Sequence, residues 1–211
     1  MLHLLRVIPA FAATALLLAI LPGQGVAMLL RQTIAGGKEA GFRAAWGNGS
    51  GLVVWALCSA LGLSAVFAAS PAAYNALRLI GAGYLLALAL STLYALRKES
   101  GKFDLDRTSG VSLSSSYRVG LITNLTNVKA AVFAVAFIPQ FIPRGFSIWQ
   151  GIVILGLVQA FVSSVWYMLL VLMVDRATAL LARATVRRWL TGASAAGLMV
   201  LATGLLLAPH R

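Results

Sequence analysis

The residues best equipped for chemistry form one polar run inside a long apolar stretch. Asn124 and Asn127 supply amides, Lys129 supplies an amine, and Thr123 and Thr126 supply hydroxyls. These groups form hydrogen bonds and carry one positive charge, so they can bind a polar molecule that bears a carboxylate. Lys129 either binds such a molecule or stabilises a polar interruption of the helix. Its flexible stem also allows the amine to reach a polar surface.

A second interruption lies at Pro22-Gly23-Gln24, near the start of the chain. Proline lacks a backbone N–H and collides with the preceding helical turn, and glycine further weakens a helix. The pattern therefore predicts a broken or kinked helix. On its own it fits a simple kink as well as a binding site, since freed backbone groups can hold a ligand. Pro22, Gly23 and Gln24 are accordingly candidate binding residues.

Two polar positions in a later apolar stretch are weaker candidates. Gln159, followed by Ser163 and Ser164, places a polar strip on one helix, and its amide can line a path. The serines more often bond to their own helix. Asp175 stands beside Arg176. A local ion pair is the simpler interpretation of this aspartate, and a role in proton coupling is the alternative.

The composition places these residues in a membrane protein. Of the 211 residues, 60% are hydrophobic and only 10% are charged, whereas soluble domains carry about 25% charged residues. Such a chain cannot cover a water-exposed surface with polar groups. The net charge of +12 would suggest nucleic acid in a soluble domain, but basic residues of membrane proteins collect in cytoplasmic loops. We therefore predict contact with lipid and none with nucleic acid.

The sequence contains few residues suited to enzyme catalysis or metal binding. His3 and His210 are terminal, and there is no G-x-S-x-G, no H-E-x-x-H and no carboxylate pair. The apolar stretches lack clustered Asp, Glu, His or Cys, the usual metal ligands. We predict a protein that is not an enzyme and has no cofactor and no bound metal. An intramembrane enzyme, a metal-ion exporter and a non-transporting scaffold remain as alternatives.

Six apolar stretches are long enough to cross a bilayer core of about 30 Å as helices. They lie near residues 7–30, 46–70, 74–96, 119–142, 148–174 and 189–208. The first resembles a secretory signal, but its apolar run continues to Leu30, which favours a retained span. Ser70-Pro71 and Pro143-Arg144-Gly145 predict short turns. Residues 97–118 are rich in serine and predict a mobile loop.

Glycines in the second stretch indicate close helix packing. Gly47 and Gly51 are four residues apart, a spacing that lets two membrane helices approach each other. Asn48 lies between them and matches a glycosylation pattern with Gly49 and Ser50. Its position inside a predicted span makes that match accidental.

The two interruptions occupy corresponding places in the chain. Each lies in the first helix of a set of three, with residues 1–96 as the first set and residues 119–211 as the second. Because three is odd, the second set runs inverted relative to the first. Inverted-repeat transporters have this arrangement, and their substrates bind where broken helices meet. The predicted fold is an all-α membrane protein with six transmembrane helices in two inverted three-helix repeats.

Basic residues predict the orientation of these helices. Most of the 17 Lys and Arg residues follow the first, third and fifth spans, whereas Arg6, Arg78, Arg144 and Arg211 fall on the opposite side. By the positive-inside rule, the first group is cytoplasmic. Both termini are then expected outside the cytoplasm. Lys129 belongs to neither group, because it lies inside a span.

The order and spacing of these motifs resemble the LysE/RhtB family of amino-acid exporters over nearly the whole chain. That family has Pro-Gly-Pro in the first span, a third-span glycine-tyrosine-leucine pattern, and Asn-Pro-Lys-Ala followed by Pro-Gln-Phe in the fourth. The corresponding segments here are Pro22-Gly23-Gln24, Gly81-Ala82-Gly83-Tyr84-Leu85, Asn127-Val128-Lys129-Ala130 and Pro139-Gln140-Phe141. The resemblance implies a secondary transporter in the bacterial inner membrane that exports amino acids or similar metabolites with the proton-motive force. It leaves open the substrate and the formation of a homo-oligomer.

Two departures from the family pattern concern the breaks themselves. Gln24 replaces the second proline of the first motif, and Val128 replaces the proline that precedes Lys129. Each replacement removes a residue that breaks helices. The sequence therefore predicts milder breaks, a different substrate preference or the loss of export.

Overall fold

The computed structural model describes residues 2–21, 23–69, 71–97, 113–174, 176 and 184–207. Every regular element within these ranges is helical, as the sequence predicts. The helices are α1 (Leu2–Ile20), α2 (Gln24–Ala69), α3 (Pro71–Arg97), α4 (Leu113–Leu125), α5 (Val128–Val132), α6 (Ile148–Leu172) and α7 (Ala184–Leu207).

The first break separates α1 from α2. Hydrogen bonding of the helical type continues to Leu21, whose N–H donates to the Leu17 carbonyl. The next helix starts at Gln24, and the two axes meet at 59°. Pro22 lies outside the described residues, but its chemistry accounts for the break because it has no N–H to continue the helix.

Helix α2 consists of two helical segments that meet in a kink at Gly37. It joins the end of the first expected span to the second, so that residues 31–45, expected to connect two spans, are helical. Within it the backbone leaves helical geometry only at Gly37, where φ is 74°. Glycine has no side chain to oppose this left-handed conformation. One residue therefore turns the chain where a loop was expected.

The second break separates α4 from α5, and their axes differ by 56°. It forms although Val128 stands where the resembling family has proline. Asn127 replaces the missing breaker, since its backbone is extended and its side chain accepts a hydrogen bond from the Lys129 N–H. This is the geometry of a helix N-cap. The preceding helix starts at Leu113, so the last part of the predicted mobile loop is helical.

Helix α5 continues without a gap into less regular turns. Residues Phe133–Phe137 are π-helical, and residues Ile138–Phe141 form a 3₁₀ turn that contains Pro139. A tight turn follows, in which the Phe146 N–H donates to the Pro143 carbonyl and Gly145 takes a φ of 80°. The turn lies where Pro143-Arg144-Gly145 predicts one.

By length and composition, two helical segments of the described chain can each cross a membrane alone: Ile148–Leu172 and Arg188–Leu207. The count reaches four if each bent pair forms one span. A shorter apolar helix covers Arg78–Ser91. The helical class is therefore confirmed, while the number of six spans stays a prediction.

Close contacts between glycines and backbone hold α2 against α4. A β-carbon at Gly47 would collide with the Tyr117 carbonyl oxygen, and one at Gly120 would collide with the Ala44 carbonyl oxygen. The two backbones therefore approach each other at both points. Helix α2 also packs on α6, α3 packs on α7, and α1 packs on α6.

Four phenylalanine rings pack together between α1 and the extension of α5. Phe11 lies 5.9 Å from Phe133 and 5.2 Å from Phe141, measured between ring centroids. Phe137 stacks on Phe133 at 4.8 Å and lies 5.3 Å from Phe141. These separations are typical of favourable aromatic pairs. We call Phe11, Phe133, Phe137 and Phe141 the phenylalanine cluster.

Candidate functional site

A small polar cavity lies where the two breaks meet α2 and α6. Its volume is about 30 Å³, enough for one or two water molecules. A larger ligand therefore requires the surrounding helices to move apart. The cavity is lined by Leu18, Ala19, Asn48, Leu52, Asn124, Asn127, Lys129, Ala130, Gln159, Ser163 and Tyr167.

Lys129 connects the two breaks. Its Nζ donates to the backbone carbonyl of Leu18 at 3.4 Å. In an uninterrupted helix this carbonyl would accept from the N–H four residues later. That residue is Pro22, which has no N–H to give. The amine of one broken segment therefore binds the carbonyl that proline frees in the other.

Gly23 allows this approach. A β-carbon built on Gly23 would lie 3.4 Å from the Lys129 Nζ, an ordinary contact distance. Any longer side chain pointing this way would compete with the amine for space. The glycine of the first interruption thus lies directly beside the lysine of the second.

Asn124 anchors the end of α4. Its side-chain amide donates to the Asn48 Oδ1 at 3.2 Å, and its backbone carbonyl accepts from the Trp55 indole at 3.2 Å. The same carbonyl accepts from the Asn127 N–H at 3.0 Å. Gly51 leaves room for this side chain, because a β-carbon there would lie 2.7 Å from the Asn124 Cβ. Helix α2 therefore fixes the position of the second break.

The Asn48–Asn124 pair retains unused hydrogen-bonding capacity. Both side chains are 2% exposed. The Asn48 Nδ2 and the Asn124 Oδ1 are buried without a hydrogen-bond partner among the described residues. Reversing both amides would exchange the atoms but would still leave one amino group and one carbonyl free. The pair thus offers a donor and an acceptor beside the cavity, and unpaired buried groups of this kind are costly.

Helix α6 supplies the remaining polar wall. Gln159 and Ser163 are buried and line the cavity, and Tyr167 lies one turn further along. The Tyr167 hydroxyl packs against Gly25, where a β-carbon would collide with it. This contact brings α6 against the start of α2, directly after the first break.

The structure brings together four of the residues that the sequence selects: Asn124, Asn127, Lys129 and Gln159. Gly23 lies beside them, against the Lys129 amine. The Gln24 side chain is exposed and is not part of the cavity wall. The two other candidates, Pro22 and Asp175, lie outside the described residues.

Three polar residues of the cavity were not among the predicted site residues: Asn48, Tyr167 and Ser163, which the sequence places only in a polar strip with Gln159. Asn48 carries the clearest signal in retrospect, since it is an amide inside an apolar span, between two glycines that permit close packing. Ser163 lies four residues after Gln159 and therefore on the same helix face. Tyr167 continues that spacing, so a search for polar groups four residues apart would have found both.

The electrostatics of the cavity are simple. Among the lining residues, Lys129 is the one basic side chain and none is acidic. A positive charge held with amide groups and free of acidic neighbours is suited to a carboxylate. The nearby Leu18 carbonyl and the free side-chain carbonyl of the Asn48–Asn124 pair can accept hydrogen bonds from an ammonium group. These groups bind and orient a small zwitterion but provide no nucleophile or acid–base pair.

The hydrogen bond from Trp55 to the Asn124 carbonyl permits a first test. Replacing Trp55 by phenylalanine removes the donor and keeps an aromatic ring, so we expect the free energy of unfolding to fall by about 1 kcal/mol. Denaturation of the purified protein in mixed micelles measures this change. The same replacement at Trp149, which is 54% exposed, is the matched control. Equal effects at both positions would contradict the anchoring role of Trp55.

Comparison with known proteins links this cavity to a family. The sequence matches the family described as LysE type translocator over residues 16–208, which covers both breaks and every lining residue of the cavity. Members of this family are transporters, which confirms the prediction that the chain is not an enzyme. No solved structure matches the chain.

Individual relatives agree with the family. The chain is 28% identical to the uncharacterized membrane protein YrhP of Bacillus subtilis, over 80% of this chain and 83% of that protein. It is 30% identical to leucine efflux proteins of Salmonella typhimurium and Salmonella typhi, over 61% of this chain. The match spans 59% of the length of those efflux proteins. The match of the family over most of the chain is decisive, and this multi-pass membrane protein belongs to the LysE type translocator family.

Proposed function

We propose that the protein exports an amino acid with an uncharged side chain, such as leucine, from the cytoplasm of a bacterial cell. The observation that carries this proposal is the polar cavity between two broken helices, with Lys129 bound to the carbonyl that Pro22 frees. The leucine efflux relatives support an aliphatic substrate. The absence of acidic groups among the lining residues makes a second positive charge on the substrate unfavourable.

The substrate binds with its carboxylate toward Lys129 and its ammonium toward backbone and amide oxygens. The apolar groups of Leu18, Leu52 and Ala130 line the same cavity and are available for an aliphatic side chain. Burying that side chain contributes roughly 25 cal/mol per Å² of apolar surface. The polar groups offset the loss of water around the two charged ends.

The pairing of helices supports an arrangement in two inverted repeats. In such a fold, a two-fold rotation exchanges the first broken span, which is α1 with residues 24–36 of α2, with the α4–α5 pair. It also exchanges residues 38–69 of α2 with α6, and α3 with α7. It then converts the contact of α2 with α4 into that of α6 with α1, and leaves the α2–α6 and α3–α7 contacts in place. These are four prominent contacts of the fold.

We propose that transport proceeds by alternating access in a protein with six spans in the inner membrane, both termini outside the cytoplasm. The phenylalanine cluster lies beyond Lys129 along α5 and before Leu18 along α1, and therefore on one side of the cavity. With the proposed orientation, this is the side away from the cytoplasm. Release of substrate then requires the cluster to open. The proton-motive force drives export, with Asp175 as the candidate coupling residue.

Uptake of amino acids into inside-out membrane vesicles tests the proposed function. Inside-out vesicles that contain the protein should accumulate radiolabelled leucine when a proton gradient is present, and control vesicles without the protein should not. Leucine is compared with threonine and lysine at equal concentration. We expect lysine to be the poorest substrate because its second ammonium meets Lys129 in the cavity.

Each outcome of this experiment has a defined meaning. Accumulation of lysine above leucine would overturn the proposed substrate class. Equal accumulation of leucine with and without the proton gradient would overturn proton coupling. If none of the amino acids moves in protein shown to be folded and inserted, the proposal of export fails and a non-transporting scaffold is favoured.

A further inference from the structure

We infer that the hydrogen bond between Lys129 and Leu18 is a latch, and that a zwitterionic substrate opens it by inserting between its two partners. The substrate carboxylate takes the Lys129 amine, and the substrate ammonium takes the Leu18 carbonyl. The inference rests on the proposed function, and it adds a role for this contact in selecting substrates and in separating the broken helices.

The two partners of the latch belong to different broken segments. The Leu18 carbonyl lies near the end of α1, and Lys129 lies at the start of α5. The usual helical partner of this carbonyl would be the N–H of residue 22, and proline has none. Their contact of 3.4 Å is longer than the roughly 2.8 Å of a strong charge-assisted hydrogen bond. The substrate therefore replaces a weak contact by two stronger ones.

A zwitterion fits this exchange because its ammonium is a positively charged donor for the Leu18 carbonyl and its carboxylate is a negatively charged acceptor for Lys129. The ammonium replaces an ammonium at the Leu18 carbonyl, and the carboxylate gives Lys129 an anion in place of a neutral oxygen. Beside them, the Asn48–Asn124 pair offers one free amino group and one free carbonyl. These two groups can bind the same carboxylate and ammonium, and binding would satisfy polar atoms that are otherwise buried and unpaired.

Insertion forces the two segments apart. The Lys129 Nζ and the Leu18 carbonyl oxygen now lie 3.4 Å apart. With a substrate between them, that distance would have to hold two hydrogen bonds of about 2.8 Å each and the substrate itself. The cavity of about 30 Å³ also has to enlarge. Substrate binding and opening of the two broken helices are thereby one event. A ligand with only one charged end leaves either Lys129 or Leu18 unpaired and does not complete the exchange.

Binding of leucine and two truncated analogues to the purified full-length protein tests this inference. The probes are L-leucine, L-leucinamide, which lacks the carboxylate, and 4-methylpentanoate, which lacks the amine. Thermal melting in detergent reports binding, because a ligand of the folded state raises the melting temperature. We expect leucine to raise it, and each analogue to bind at least about tenfold more weakly, as the loss of one charged hydrogen bond predicts.

A distance measurement tests the separation directly. Spin labels are attached at Leu17→Cys on α1 and Val128→Cys on α5, both of which replace exposed side chains, in a Cys58→Ser background. Leucine should lengthen the distance between the labels, whereas 4-methylpentanoate should not. Lys129→Met, which removes the latch, should show the longer distance without ligand. If Lys129 only stabilised the fold, leucine and 4-methylpentanoate would not differ in their effect on the label distance.

The outcomes separate the latch from the proposed function. If leucine is exported but 4-methylpentanoate or leucinamide binds as tightly, the latch is overturned and export stands. An unchanged label distance on leucine binding overturns the latch in the same way. If leucine is neither bound nor exported by folded protein, the proposed substrate and the latch are both overturned.

Discussion

Replacing Lys129 by methionine is expected to reduce leucine export by about 10- to 100-fold, which corresponds to the loss of one hydrogen bond to a charged group. Methionine nearly matches lysine in length and removes the charge, so the substrate carboxylate loses its counter-ion. Burying an ammonium in an apolar span costs free energy. We therefore expect the variant to insert and fold at least as well as the original protein.

Two further variants make this result specific. Lys38 is exposed on α2, so Lys38→Met makes the same chemical change outside the cavity and should leave export unchanged. Lys129→Arg keeps the charge but adds volume close to Gly23, where even a β-carbon would lie 3.4 Å from the amine, so we expect intermediate export. Initial rates in vesicles, normalised to the amount of inserted protein, measure all three. Full export by Lys129→Met would remove Lys129 from the substrate path.

Alanine at Gly47 or Gly120 is expected to destabilise the protein by about 1–3 kcal/mol, the usual cost of overpacking. Each added β-carbon would meet a backbone carbonyl of the opposite helix, that of Tyr117 or of Ala44. Backbone cannot rotate away as a side chain can, so α2 and α4 must separate. Helix propensity alone would predict the opposite change in stability, because it favours alanine over glycine by about 1 kcal/mol.

Gly83 provides the matched control. It lies within α3, and no atom outside its own helical turn lies within 4 Å of a β-carbon built there. Gly83→Ala should therefore keep or raise the melting temperature, while Gly47→Ala and Gly120→Ala lower it. Thermal unfolding of the purified variants in one detergent compares the three. The proposed close approach of α2 and α4 would be refuted by three equal melting temperatures.

The positions of both breaks could be predicted from the sequence, because their causes are local. Pro22 cannot donate a backbone hydrogen bond, and Asn127 caps a helix with its own side chain. Amides and an amine at membrane depth also require partners, which is why Asn124 and Lys129 were selected. The structure places both beside one cavity. Chemistry carried by single residues can thus be identified without knowledge of the packing.

The partners across the cavity could not be predicted in this way. Asn48 is selected as a neighbour of Asn124 only by the packing of α2 on α4, and nothing in its local sequence indicates that contact. The π-helical turns at Phe133–Phe137 occur within an uninterrupted apolar run. The two helical segments that replace the expected loop at residues 31–45 meet at a single left-handed residue, Gly37. Glycine permits that conformation but does not require it.

The phenylalanine cluster has a consequence for electrical insulation. Phenylalanine side chains offer no hydrogen-bonding group to water, and four rings in mutual contact form an apolar layer that resists wetting. A transporter at rest has to hold off a membrane voltage worth about 2.3 kcal/mol per unit charge at 100 mV. In the proposed orientation, the rings would form an apolar barrier to ions on the side of the cavity away from the cytoplasm.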